Sequence, residues 1–375
     1  MRRTETLARV LAIALAPLCA LQGCTAIAGL EEPEPMPPGG TTSGGGNGGG
    51  AGGGGAGGGG AGGGGAGGGG GCEPGSEITT LATGQISPRA IVVDDASVYW
   101  TTESAEGDNG VWKLANAGGQ PVRLADTGVR HPIALAVDSM HVYWSDGADG
   151  SCGGEPDRDA VLRIPHGGPP NPTGFQILDS FCGRAQTIAL DTTRVYWARP
   201  NSGRVPTILK SGNGNPDELI DPPGTMPFGI AVDDSHAYWT DQESKQVIRA
   251  EKNGAQNENL WSSSVSPRWI ALDDESVYWT TDTLVLKHDK LPMDGAPKEL
   301  HAGLVDIVAL AVDRGGDAVY VIDGGAGKVV RVPKVPDILA KPIIDSADEL
   351  GGVAVDEDFV YWTNTTTGEI LRACK

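Results

Sequence analysis

Gly229-Ile230-Ala231-Val232-Asp233, then Asp234-Ser235-His236, then Ala237-Tyr238-Trp239-Thr240-Asp241: this stretch recurs along the chain and decides the fold. Ile91-Val92-Val93-Asp94 leads in the same way to Val98-Tyr99-Trp100-Thr101. Leu135-Ala136-Val137-Asp138 leads to Val142-Tyr143-Trp144-Ser145, and Ile188-Ala189-Leu190-Asp191 to Val195-Tyr196-Trp197. Ile270-Ala271-Leu272-Asp273 leads to Val277-Tyr278-Trp279-Thr280, Leu310-Ala311-Val312-Asp313 to Val319-Tyr320-Val321, and Val353-Ala354-Val355-Asp356 to Val360-Tyr361-Trp362-Thr363. All seven tyrosines of the chain and six of its nine tryptophans fall at one repeat position, which fixes seven units rather than a loose likeness. Self-similarity at a fixed period is the mark of a repeat architecture.

Each unit reads as four short strands. The Ile-Ala-Val-Asp run is apolar on both faces, as in a strand buried on both. An acidic turn follows whose carboxylates suit turn N–H groups. Val-Tyr-Trp-Thr is the second strand. The third carries a basic residue, assigned to Lys113, Arg163, Lys210, Arg249, Lys290, Arg331 and Arg372. A Gly or Asn-Gly turn leads to a fourth, as at Pro121-Val122-Arg123-Leu124. The motif aspartates stand 44, 53, 42, 40, 40 and 43 residues apart, the length of a propeller blade. Period-2 patterning and Gly/Asp turns exclude stacked helical repeats. The expectation is an all-β, seven-bladed β-propeller over residues 72–375. The chain ends on the third strand of unit seven, and Ser76-Glu77-Ile78-Thr79-Thr80-Leu81 matches a fourth strand, so an N-terminal strand is expected to close the last blade.

At Tyr238-Trp239-Thr240-Asp241 the chain resembles the YWTD propellers of the low-density-lipoprotein-receptor class. The resemblance implies that the motif aromatics and aspartate hold blades together while ligands bind elsewhere. Only Asp146, Asp241 and Asp323 keep the last motif position, and that class usually has six blades, the alternative to the seven counted here.

The N-terminus reads as an address. Arg2 and Arg3 precede an apolar run from Leu7 to Leu21, too short to span a bilayer, followed by Leu21-Gln22-Gly23-Cys24. That ending resembles the lipobox of bacterial lipoproteins. The resemblance implies removal of residues 1–23, lipidation of Cys24 and, since Thr25 is not an acidic retention residue, an outer-membrane address. Residues 24–71 form a tether: 25 of the 58 glycines lie between Gly39 and Gly71, with no side chains to bury. Its reach is roughly 35–40 Å. The segment up to Gly71 has a net charge of −1, and the remaining 304 residues carry −19 of the total −20. Such acidity argues against nucleic acid and against electrostatic docking on anionic lipid. The expected chain is a monomer that touches membrane only through its lipid.

The loops between second and third strands share a face with the blade connections, and that face is expected to bind. Its candidate rim is Arg89, His131, Arg184, Gln186, Phe228, Arg268, Asp306 and Glu349, with guanidinium groups suited to an anionic or polar ligand. The bland reading is a solvated rim with local ion pairs. A ligand- or partner-binding module follows, and a propeller enzyme of lyase or lactonase type is the alternative. His131 with Asp306 and Glu349 could ligate a divalent ion, although no HExxH or GxSxG occurs. No cofactor is required. The second unit's insertion holds Asp146, Asp149, Glu155, Asp157 and Asp159, oxygen ligands of the kind calcium prefers, without EF-hand spacing. The cysteines beyond Cys24 are expected to pair as Cys72–Cys374, clasping the ring, and Cys152–Cys182, joining two loops of one face.

Overall fold

A computed structural model describes residues 78–375 apart from 105–108, 126–128, 148–158, 169–173, 221–224, 253–256 and 292–294. These residues form seven four-stranded antiparallel sheets, each a blade of one propeller. Blade 4 shows the pattern: Pro227–Val232 innermost, then His236–Asp241, Gln246–Glu251 and Asn257–Ser262 outermost. The last blade takes Leu350–Val355, Phe359–Asn364 and Glu369–Cys374 from the C-terminal end, and its outer strand is Thr79–Ala82. Thr79 pairs with Arg372 and Thr80 with Leu371, so the N-terminal strand closes the ring. The blade count is seven, as the repeat predicted.

The Tyr-Trp pair explains itself once the blades are in place. Successive strand residues point to opposite sheet faces, so Tyr faces the following blade and Trp the preceding one. Six of the seven interfaces between blades are built this way. Tyr99 shares a core with Trp144, Tyr143 with Trp197, Tyr196 with Trp239, and Tyr238 with Trp279. Tyr320 shares one with Trp362, and Tyr361 with Trp100 across the closing seam. Where blade 6 has Val321 in place of Trp, Trp269 packs against the same layer beside Tyr278. Aromatic bodies of this size dominate the energetics of such layers.

The Thr that follows links blades through polar contacts. Thr240 Oγ1 accepts from Gly229 N–H at 2.8 Å and donates to the carbonyl of Arg268 in the next blade at 2.5 Å. Thr363 repeats this at the seam, accepting from Gly352 and donating to the Arg89 carbonyl, both at 2.8 Å. Gly229 is required there, because a Cβ would lie 2.6 Å from the Arg268 carbonyl oxygen.

A second periodic device lies on the opposite face. The motif aspartate accepts turn N–H groups and the hydroxyl of its own Tyr, as Asp94 does from Ala96, Ser97 and Tyr99. It also meets a cation from the next blade. Lys210 reaches Asp138 at 2.7 Å, Lys252 reaches Asp191 at 2.8 Å, and Lys290 reaches Asp233 at 2.9 Å. Lys334 reaches Asp273 and Lys375 reaches Asp313, both at 2.8 Å, while His166 lies 3.7 Å from Asp94. Each of these residues stands three positions past the one paired with the motif Tyr. The single series of third-strand basic residues expected from sequence is therefore two series. Lys210 and Lys290 lie just beyond their strands, Val205–Leu209 and Leu284–Asp289, and belong to the cross-blade set, while Thr207 and Lys287 pair with Tyr196 and Tyr278. In blade 1 the equivalent position is Asn116, which donates to the Asp94 carbonyl of its own blade. The closing seam thus has the aromatic layer without the ion pair.

Burial pushes the Asp138 carboxyl up, but Lys210 and the N–H groups of Met140 and His141 outweigh it and hold the carboxyl at about 2. Asp191, Asp233 and Asp273 are likewise held low against burial by Lys252, Lys290 and Lys334. Burial, and then the adjoining carboxylate, push the Tyr99, Tyr196, Tyr278 and Tyr361 phenols up.

Candidate functional site

Two joined cavities lie on the ring axis. The inner strands place the side chains of Leu135, Ala136, Ile188, Ala189, Ile230, Ala231, Ile270 and Ala271 around a channel of about 410 Å³ whose surface is about equally polar and apolar. The small residues of the inner strands, alternating with large ones, leave this space open. The channel widens into a funnel of about 1160 Å³ bounded by the turns between first and second strands. Val137, Leu190, Val232, Leu272 and Arg314 line both spaces.

The funnel wall is chemically graded. Deepest are the apolar strand ends. Around them stand Asp138, Asp191, Asp233 and Asp273, each already matched by a lysine. The next residue of each turn points to solvent, giving Ser139, Thr192, Asp234 and Asp274 at the lip. Arg314 occupies the same place in blade 6. His141 also lines the funnel; burial first, then the Arg163 charge, push its imidazole down toward the neutral form.

Blade 6 departs from the repeat at this point. In the other six blades the motif Asp and Tyr are five residues apart; Asp313 and Tyr320 are seven apart. The longer turn, Asp313-Arg314-Gly315-Gly316-Asp317, folds back so that Gly316 N–H donates to Asp313 Oδ1 at 3.0 Å. No hydrogen bond joins Tyr320 to Asp313 among the described residues, and burial pushes its phenol up to about 12. Sequence reading passed over Arg314, although that altered spacing was the signal that could have found it.

The rim expected from sequence lies at the other mouth and does not line these two cavities. All its charged groups but Arg184 stand in ion pairs. Arg89 lies 3.4 Å from both Glu103 and Glu349, and His131 Nδ1 lies 3.2 Å from Glu103. Arg268 bridges Asp282 at 2.9 Å and Asp306 at 2.8 Å, with its guanidinium 5.7 Å from the centre of the Phe228 ring. His131, Asp306 and Glu349 are therefore held in separate pairings rather than around one point. Exposed Arg184 and half-buried Gln186 stand at the start of the third blade, where the Gln186 backbone pairs with Ala198.

Of the calcium candidates, Asp146 is 5 % exposed and accepts N–H bonds from Arg130 at 2.9 Å and His131 at 2.7 Å. It holds a blade joint, as Asp241 and Asp323 do through Met226 and Val305. Burial pushes its carboxyl up against those bonds. Asp159 is buried at the start of its strand, and Asp149, Glu155 and Asp157 lie outside the described residues. No group of three metal-ligating side chains occurs among the described residues.

Cys374 is disulfide-bonded, to a partner outside the described residues, where Cys72 also lies. Cys182 is a free, exposed thiol. The expected Cys152–Cys182 bridge is not formed in the structure. The Cys182 carbonyl is held at 2.8 Å by Arg199 of the next blade, whose guanidinium lies over the Phe181 ring, and this ties the loop across the blade joint. Cys152 and Cys24 lie outside the described residues. No helix among the described residues is long and apolar enough to cross a membrane.

No family profile and no curated protein sequence matches the chain. Solved structures do. A streptogramin B lyase matches with a TM-score of 0.63 and 14 % identity, over 79 % of this chain and 96 % of the lyase. The catalytically inactive virginiamycin B lyase of Staphylococcus aureus with quinupristin matches with 0.63 and 16 %, over 80 % and 98 %. A nidogen/laminin complex chain matches with 0.51 and 17 %, over 65 % and 94 %. The likeness is one of fold. The lyases and the nidogen/laminin complex chain share the propeller fold with this chain, and at such identities none lends it an activity.

Proposed function

We propose that the chain is an envelope lipoprotein whose propeller is a binding module, carried on a glycine-rich tether and taking its ligand in the axial funnel. The observation that carries this reading is the funnel itself: a wide polar lip over a channel lined by apolar side chains of the inner strands. Concave sites with apolar walls and a few convergent polar groups are where ligands bind. Apart from Arg184, the charged groups of the opposite rim are matched, which favours the funnel over it. Lipidation at Cys24 supplies the anchor in this reading, and the tether holds the funnel clear of the headgroups.

The alternative, a lyase-type propeller enzyme, is supported by fold likeness alone, and turnover of quinupristin by the purified chain would establish it. The binding reading is tested by hydrogen exchange on the chain from residue 25 onward, with and without small molecules extracted from the envelope. Protection is expected in the turns 138–141, 191–194, 233–236 and 273–276. Protection confined to the loops of the opposite rim, or none, would overturn it. Mature Cys24→Ala protein should leave the membrane fraction; its retention there would refute the anchor.

A further inference from the structure

Resting on the funnel reading, we infer that the funnel takes a small amphipathic zwitterion, with its anionic group on Arg314 and its cationic group on Asp234 or Asp274. The argument begins with the repeat. Six blades keep this turn at one length with no basic residue directly after the motif Asp, and blade 6 departs on both counts. Blade 6 lengthens its turn by two residues and sets a guanidinium where other blades carry Asp95, Ser139, Thr192, Asp234, Asp274 and Glu357.

Arg314 does not serve the fold. It is exposed and makes no ion pair or side-chain hydrogen bond among the described residues, unlike Arg194, Arg249, Arg268 and Arg331, which are all paired. It is also the charged residue that lines both channel and funnel, so its side chain stands at the passage between them. A guanidinium fork with free donors at a concave site is suited to a carboxylate or similar planar anion.

A simple anion fits poorly, because exposed Asp234 and Asp274 share the same wall and the domain carries a net charge of −19. A simple cation meets Arg314 where the funnel joins the channel. A molecule bearing both charges satisfies both sides, and its apolar body enters a channel walled by Val, Leu, Ile and Ala. The motif aspartates do not compete, since their lysines neutralise them. The volume of about 410 Å³ suits a body the size of a short apolar peptide.

The test uses the full chain and three probes of one shape: leucyl-leucine, its N-acetyl form and its C-terminal amide, titrated by calorimetry. Leucyl-leucine is expected to bind, with each blocked form at least ten-fold weaker. Arg314→Gln should abolish the preference for leucyl-leucine over the amide, and Asp274→Asn with Asp234→Asn the preference over the N-acetyl form. All variants should melt within a degree or two of the parent, since none of these side chains holds the ring. An amide that binds as well as the free dipeptide, or no binding of any probe at 10 mM, roughly the weakest affinity such a titration reads, would overturn the assignment. If the envelope extract still protects the funnel turns in that case, the ligand class is wrong and the funnel stands. If those turns stay unprotected, the binding-module reading falls with it.

Discussion

Replacing Lys210 with Met isolates one cross-blade ion pair. The ammonium lies 2.7 Å from Asp138 Oδ2 and 5.7 Å from the centre of the Tyr143 ring, with both charged side chains less than a fifth exposed. Methionine keeps the apolar stem on the ring and removes the charge. Holding the Asp138 carboxyl at about 2 instead of 3.8 corresponds to about 2–3 kcal/mol. Lys210 shares this with the N–H groups of Met140 and His141, so Lys210→Met should cost about 1–2 kcal/mol at pH 7. The sign with pH follows from a carboxyl held low in the folded state. Its contribution is complete above pH of about 4 and is lost as pH falls through about 2. Urea unfolding followed by tryptophan fluorescence, from pH 7 down to 2, should show the two proteins converging between those values. A variant as stable as the parent at pH 7, or one destabilised equally at every pH, would refute the reasoning.

Further outcomes follow from the same geometry. Asn116→Lys should supply the seventh cross-blade pair to Asp356 and gain roughly 0.5–1 kcal/mol, read as a rise in Tm; a loss would show that the seam is spaced differently. Thr240→Val removes a buried hydroxyl that joins Gly229 to Arg268 and leaves both backbone groups without it, so a loss of about 1–3 kcal/mol in urea unfolding is expected. Gly229→Ala should destabilise by a similar amount or more, because the new methyl meets backbone rather than a side chain that can move. Deleting residues 76–83 should expose the edge of Glu369–Cys374 and shift the protein toward self-association on size-exclusion chromatography, relative to the parent.

The ring was legible because its repeat concentrates identity where blades touch. Tyr and Trp alternate across a strand, so their positions fixed the blade count, and the spare strand near Thr79 fixed closure. The cross-blade lysines were harder to read. Lys210 and Lys290 sit three residues from Thr207 and Lys287, and sequence spacing alone does not say which residue stays in its own blade and which crosses to the next. Asp146 looked like a metal ligand in an acidic insertion because its backbone partners, Arg130 and His131, approach only once the strands pair. The funnel escaped notice for a related reason. Its wall is made of turns that each read as ordinary, and only the ring brings Asp234, Asp274 and Arg314 around one axis.

The central claim is that ligand enters at the mouth formed by the turns between first and second strands. A photoreactive phenylalanine analogue at Thr192, on that lip, and another at Gln186, on the opposite rim, decide it in cells. The account predicts a crosslinked adduct from position 192 and none from 186. An adduct from 186 alone would contradict it.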